Sequence, residues 1–209
     1  MHSNKVTNLT SKKLKSMIKK LSMLFISSLL ISTASNSQTF MHGLGATVNI
    51  MTAKIDNPSE KYTATVSFTN FTYMPRLIFG EKESSSFSLG FPISAGVGFG
   101  SDVFGDTHVY YGGELPLVFD FNKGRKSSPD NEDSFGWYIG TGFSYTLTNW
   151  TTGSSTDKLN SYGPLVRFGV RFGGGSNRPE RATTVGLSFK PGLEKTKFKT
   201  IGIAVLMEL

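Results

Sequence analysis

The sequence predicts an all-β protein, an eight-stranded antiparallel up-and-down transmembrane β-barrel preceded by a signal peptide. The main observation is residues 134–147, where large apolar side chains alternate with small or polar ones. Successive strand residues point to opposite faces of a sheet, so this segment has one apolar face and one slim polar face. The pattern returns in other segments, with aromatic residues near both ends. A strand that crosses a bilayer needs about 9–11 residues, with aromatic girdles at both interfaces.

The N-terminal segment predicts export across a membrane. A lysine-rich stretch precedes an apolar run at residues 21–32, and small residues follow through Ser37. This is the order of a secretory signal peptide. The run is shorter than the roughly 20 apolar residues that a spanning helix needs. We therefore assign residues 1–37 to a signal peptide, with Met17 as an alternative start and with cleavage after Ala34 or Ser37, and residues 38–209 to the outer-membrane barrel.

The charge balance argues against a nucleic-acid partner. The whole chain has a net charge of +7, but its 22 basic residues include six lysines within residues 1–37. Without those six, 16 basic residues face 15 acidic ones, so no basic surface of the kind that binds nucleic acid is predicted. The absence of cysteine excludes a lipoprotein anchor and a disulfide scaffold.

Eight segments carry the strand alternation, and turn-forming residues separate them. In the second segment, Val66 and Phe68 are in one phase and Phe71 and Tyr73 in the other, which predicts a β-bulge at Thr69–Asn70. Strands without helical patterns between them indicate a meander, and in lipid the sheet must close because an open edge leaves backbone groups unsatisfied. Eight strands give an interior that side chains can fill. The predicted strands are about 39–51, 61–79, 86–99, 107–122, 134–147, 161–173, 182–190 and 196–209.

The even number of strands predicts the orientation. An N-terminus delivered to the periplasm leaves both ends of the barrel there, with short periplasmic turns. Residues 122–133 form a longer connection than this rule expects. The predicted periplasmic rim consists of Phe40, Phe79, Phe87, Phe121, Phe135 and Phe172, and the outer rim of Tyr62, Phe99, Tyr111, Tyr145, Tyr162 and Phe189.

Two sequence stretches carry a resemblance to a known family. Residues 73–81, which begin Tyr-Met-Pro-Arg, and residues 86–98, together with the eight strands, resemble the outer membrane protein β-barrel domain family of small OmpA/OmpX-like barrels. The resemblance implies a Gram-negative cell-envelope protein and carries over no catalytic residues. In related barrels the last strand is recognised by the barrel assembly machinery and usually ends in Phe, whereas this chain ends in Leu209.

The inward face carries the candidate site, a network of charges that fills the lumen. Charges in so narrow a space must pair, because isolated burial is costly. We predict that Glu114 and Arg167 pair at mid-depth, with Arg76, Asp120 and Arg171 as a second tier nearer the periplasmic mouth. Lys190 shares this face.

The same phase predicts the effect of substitutions on the two faces. Leu117 and Ile139 point outward near mid-strand, so arginine there should impair assembly. Gly140 points inward, and serine there should matter less.

No catalytic, cofactor or metal site is predicted, and the protein is not expected to be an enzyme. Gly96–Gly100 superficially resembles a phosphate-binding loop, but no helix follows it to supply an N-terminus. A zinc site is not predicted, because the chain has no cysteine and no paired histidines to act as ligands. His108, near the outer mouth and within reach of Asp106, is the one histidine placed where envelope hydrolases keep theirs, although no serine lies beside it.

The expected function is a structural or surface-interaction role in the outer membrane, as a monomer with its lumen filled by side chains. The expected partners are outer-membrane lipid and lipopolysaccharide outside, and the barrel assembly machinery through the last strand. Two alternatives are a small gated, porin-like pore for ions or small solutes and an envelope enzyme at the outer rim. A soluble lipocalin-like barrel would reverse the two faces, but glycine and serine could not fill its core.

Overall fold

The computed structural model describes residues 38–56, 61–101, 107–152, 155–173, 180–193 and 198–209. The predicted signal peptide, residues 1–37, lies outside them. Within the described ranges no helix is long and apolar enough to cross a membrane. The strands there are β1 (Thr39–Asp56), β2 (Lys61–Lys82), β3 (Ser85–Gly90), β4 (Ile93–Ser101), β5 (Thr107–Gly124), β6 (Phe135–Thr152), β7 (Ser155–Gly173), β8 (Ala182–Pro191) and β9 (Lys199–Glu208).

The strands form one closed antiparallel sheet, which confirms the predicted barrel. Consecutive spans pair along the chain, and β1 also pairs with β9, so the last strand joins the first. In this closing ladder Gly43 lies opposite Glu208 and Thr52 lies opposite Lys199. Both chain ends of the sheet, Thr39 and Glu208, therefore lie at the same end of the barrel. We call this the proximal end and the opposite one the distal end.

Nine strands make eight spans because a proline interrupts the third span. β3 and β4 both lie between β2 and β5, with Phe91 and Pro92 between them. Gly90 lies opposite Arg76 and Ile93 opposite Tyr73, so the register is the same on both sides of the break. Proline has no N–H to donate to a ladder, and around Pro92 the Ile93 N–H instead donates to the Phe91 carbonyl at 2.8 Å. The expected eight-span topology is thus preserved.

The two faces of the sheet differ as the alternation predicts. In β8 and β9 buried and exposed residues alternate almost without exception. Most of the exposed ones are large and apolar, such as Leu187, Ile201 and Ile203, and the buried ones other than Leu206 are small or polar. An apolar band therefore surrounds the barrel on the outside.

Aromatic residues border this band at both ends. At the proximal border the rings of Phe87 and Phe121 lie 5.5 Å apart, and those of Phe135 and Phe172 lie 5.7 Å apart. At the distal border the rings of Tyr145 and Tyr162 are stacked 6.5 Å apart. The predicted rim residues face outward wherever their side chains are described; Tyr62 is not among these.

The predicted β-bulge at Thr69–Asn70 is wrong. β2 pairs with β1 without a shift from Lys61 to Ile78, and its irregularity lies between Phe79 and Lys82. Val66 and Phe68 consequently face the lumen, where each is 4 % exposed. The apolar residues change phase along β2 for another reason. At the distal end of the barrel they lie on the inner face, because the interior there is apolar.

Candidate functional site

The lumen is the candidate site, and side chains fill it in layers. Its distal layer is an apolar cluster of Met51, Val66, Phe68, Tyr110 and Phe198. The rings of Phe68 and Tyr110 meet edge to face at 6.1 Å. An apolar constriction excludes water and ions because nothing in it replaces their hydration. This distal apolar cluster closes the lumen at that depth among the described residues.

Below the distal apolar cluster, Glu114 is the centre of a polar layer. Its carboxylate pairs with the Lys190 ammonium at 3.2 Å and accepts hydrogen bonds from Asn49 Nδ2 at 3.1 Å and from the Ser144 hydroxyl. Lys190 also donates to the Thr146 hydroxyl. The predicted pair of Glu114 with Arg167 is therefore wrong, since lysine takes the place of arginine.

Arg167 pairs with Asp120 instead. The guanidinium binds the carboxylate with two hydrogen bonds, Nε to Oδ1 at 2.7 Å and Nη2 to Oδ2 at 2.5 Å. Such bidentate pairs are stronger and more directional than single hydrogen bonds. The register explains the choice of partner, because Gly140 lies opposite Asp120 on one side and opposite Arg167 on the other. Counting residues from the strand ends could not show this, because neighbouring strands are staggered in a barrel.

Gly140 makes room for this ion pair. A Cβ atom built on it would lie 2.0 Å from Asp120 Oδ1 and 2.6 Å from the Phe119 carbonyl oxygen. The backbone oxygen cannot move away without disturbing the sheet. A serine at Gly140 would therefore disturb the ion pair or the sheet. The prediction that it matters less than an outward-facing arginine stays a prediction, and the glycine does face inward as predicted.

Nearer the proximal end, two arginines share one carboxylate. Arg76 Nη2 and Arg171 Nε both bind Glu208, the latter at 2.9 Å, and both guanidinium groups donate to Asn122 Oδ1. The Thr184 hydroxyl donates to Glu208 at 2.6 Å. We call this group the proximal ionic cluster.

The proximal ionic cluster corrects the predicted second tier in one respect. Arg76 and Arg171 come together as predicted, but around Glu208 rather than Asp120. Glu208 is wholly buried. The sequence carried the signal for it, since Ile201 to Leu209 alternate outward and leave Glu208 on the inward face.

Tyr138 lies against both arginine groups. Its ring centroid is 5.0 Å from the guanidinium carbon of Arg167 and 4.7 Å from that of Arg171, within the range of cation–π attraction. Glycines make this position available, because a Cβ on Gly169 or Gly186 would come within 2.4 Å of the tyrosine side chain. Tyr138 therefore joins the two ionic layers into one packed unit.

The long connection between β5 and β6 closes the proximal mouth of the lumen. In this cap turn, residues 125–134, Arg125, Lys126 and Ser127 are buried. Arg76 Nη2 donates to the Lys126 carbonyl at 3.0 Å, and Ser86 donates to the Ser127 carbonyl. Lys126 has a left-handed backbone, φ 57°, and burial together with the neighbouring Arg125 lowers its pKa. The long connection is thus part of the filled lumen.

A cavity remains between the layers. It has a volume of about 60 Å³ and is bounded by Asn49, Glu114, Pro116 and Arg167 among others. At about 10–15 Å³ of probe-occupied volume for each water, this is room for a few water molecules. The packing of the lumen therefore leaves a small cavity beside Glu114 and Arg167.

Of the two residues considered for catalysis, His108 and Asp106, the structure describes the histidine. His108 points into the barrel and is 8 % exposed, whereas Asp106 lies outside the described residues. Within the described ranges no three histidine or acidic side chains are placed to hold a metal ion.

Comparison with known proteins identifies the fold. No family model and no curated protein matches the chain. Among solved structures, the outer membrane protein OprG from Pseudomonas aeruginosa matches with a TM-score of 0.50 and 13% identity, covering 81% of this chain and 93% of that one. Neisserial surface protein A (NspA) matches with a TM-score of 0.44 and 11% identity, covering 83% and 99%. With its closed eight-span sheet and its match to OprG, the chain has the fold of the small outer-membrane β-barrels.

Proposed function

We propose that this protein is an integral outer-membrane barrel with a structural or surface-interaction role, and that its lumen does not conduct. One observation carries the proposal: side chains block the lumen at successive depths. The blocks are the distal apolar cluster, the Asp120–Arg167 pair, and the proximal ionic cluster under the cap turn. A permeating ion would have to break buried pairs, and stranding one partner costs about 3–5 kcal/mol.

The outer face supports the membrane location. Soluble monomers rarely expose contiguous apolar patches of more than a few hundred Å², whereas here an apolar band surrounds the whole barrel. Exposed side chains such as Phe71, Val97, Leu115 and Leu187 would be unfavourable in water and favourable in lipid. The aromatic borders match the interfacial girdles of membrane barrels.

Membrane fractionation tests the location. After cell lysis and a carbonate wash, the protein should stay with the outer-membrane fraction. After detergent extraction it should migrate differently on a gel before and after heating, because a closed barrel resists the detergent until it is heated. Recovery in the soluble periplasm would contradict the proposal.

The proposed orientation places the proximal end in the periplasm. Export through a cleaved N-terminal signal would leave Thr39 and Leu209 there, and the distal loops outside. These loops would then contact lipopolysaccharide or surface partners, with the protein acting as a monomer. Strand β9, which closes the ladder with β1, is the segment that we propose the barrel assembly machinery recognises.

A small gated pore is the second candidate, and the cavity of about 60 Å³ within the lumen favours it. The cavity lies between the distal apolar cluster and the ionic layers, so a conducting state would need both to move aside. Conductance that appears only after the cap turn is shortened would support this candidate.

A further inference from the structure

Positive charge is in excess at the proximal end of the lumen. Two of the buried pairs are balanced, Arg167 with Asp120 and Lys190 with Glu114. Of the other buried cations at this end, Arg76, Lys126 and Arg171 are 1 %, 3 % and 0 % exposed, and Glu208 is the carboxylate that the described residues place among them. Arg125 is buried there as well, and its guanidinium donates to the Arg181 carbonyl at 2.6 Å. Among the described residues, the three cations Arg76, Lys126 and Arg171 therefore exceed the one carboxylate beside them by two positive charges.

Hydrogen-bond donors in the same place also lack partners. Arg76 Nε, Arg171 Nη1 and the Ser127 hydroxyl are buried and make no hydrogen bond to the described residues. A buried donor without an acceptor costs about 1–3 kcal/mol, and more when it is charged. Arg76 and Arg171 are held side by side through Asn122 and Glu208, while Arg76 reaches the cap turn through the Lys126 carbonyl.

We propose that the proximal ionic cluster and the cap turn bind a small inorganic anion such as chloride. The anion would accept hydrogen bonds from the guanidinium groups and the Ser127 hydroxyl, and would offset the excess positive charge. A single-atom anion fits this place better than a polyatomic one because the surrounding side chains are packed and almost unexposed. The site goes beyond the proposed surface role, since it lies at the periplasmic mouth.

Thermal unfolding of the purified protein in detergent micelles tests this site. Sodium chloride, sodium bromide and sodium gluconate are compared at constant ionic strength, so that general screening is equal. The unfolding midpoint should rise in a saturable way with chloride and bromide but not with gluconate. Crystals grown with bromide should show an anomalous peak beside Arg76 and Arg171.

Two lysine variants separate binding from fold stability. Lys126→Gln removes one of the buried positive charges that the anion would offset, and it should raise the half-saturating chloride concentration about tenfold. Lys123→Gln removes the same charge from an exposed neighbour and should behave like the unmodified protein. Equal midpoints in the three salts, or equal chloride dependence in the two variants, would overturn the proposal.

Discussion

Glycines decide which charges meet inside this barrel. Gly140 lies between Asp120 and Arg167 in the register and lets their side chains join over β6. Gly169 and Gly186 do the same for Tyr138, which lies against two arginines. A narrow barrel with six buried arginines and lysines among its described residues needs such small residues, because the long side chains occupy the volume above them.

A double-mutant cycle tests the pairing of Arg167. Asp120→Ala and Arg167→Ala should each cost about 3–5 kcal/mol of the free energy of unfolding, because each strands a buried charge. The double variant should cost clearly less than the sum. The cycle of Glu114→Ala with Arg167→Ala is the control and should show the smaller coupling energy, measured by urea unfolding in micelles. Stronger coupling to Glu114 would contradict the observed pairs.

Alanine substitution tests the space at Gly140. Gly140→Ala forces a Cβ against Asp120 and the Phe119 carbonyl, and overpacking of this kind costs about 1–3 kcal/mol. Gly43→Ala is a matched control on the same inner face, where a Cβ would have its nearest neighbours at 3.4 Å. It should leave the urea midpoint almost unchanged. Similar midpoints for both variants would show that Gly140 is not required.

The sequence predicted the faces of these residues but not their partners. Alternation assigned Arg76, Glu114, Asp120, Arg167, Arg171 and Lys190 to the lumen, and the structure places them there. The choice between Glu114 and Asp120 as the partner of Arg167 depends on the stagger between strands, which no single strand encodes. Glu208 was within reach of the same pattern, since its neighbours on β9 alternate outward.

At the scale of elements, the cap turn is the feature that a strand pattern cannot predict. Its length shows in the sequence, but its position in the mouth depends on Arg76 and Ser86 from other strands. The interruption between β3 and β4 at Pro92 does not affect the predicted topology. It changes the local hydrogen bonds and leaves the register intact. The misplaced bulge in β2 arose because Val66 and Phe68 belong to the apolar part of the interior.

Shortening the cap turn tests its contribution. Replacing residues 125–134 by a two-residue turn removes the carbonyl acceptors of Arg76 and Ser86. A hydrogen bond to a charged group contributes about 1.5–3 kcal/mol, so the urea midpoint should fall. Serine at the exposed residues Asp130, Glu132 and Asp133 is the control and should leave the midpoint in place. An unchanged midpoint in the shortened variant would show that the turn is an unimportant insertion.

At the scale of the whole molecule, the sheet is apolar outside and, below the distal apolar cluster, polar and ionic inside. This inversion of a soluble barrel follows from the solvent, because lipid favours the outer apolar band while the buried charges must pair with each other. The fold class was predictable from the alternation alone, since closure and antiparallel order follow from eight spans without helices.

Arginine substitutions at two depths test the membrane band. Leu117→Arg and Ile139→Arg place a charge at outward positions that are 44% and 54% exposed in the middle of the band. Each should cost about 2–4 kcal/mol if this is the bilayer midplane. Asn160→Arg, exposed beyond the Tyr162 border, should cost about 0–1 kcal/mol. The yield of heat-modifiable barrel in membranes measures the difference, and equal yields at both depths would contradict the assigned band.

The conductance of the purified protein in planar bilayers tests the central claim most directly. Heat-modifiable migration first establishes that the inserted protein is folded. With the lumen blocked by the distal apolar cluster, the Asp120–Arg167 pair and the proximal ionic cluster, we predict no steady conductance above that of the bare bilayer. A large and steady conductance of the unmodified protein would contradict the account and favour the pore.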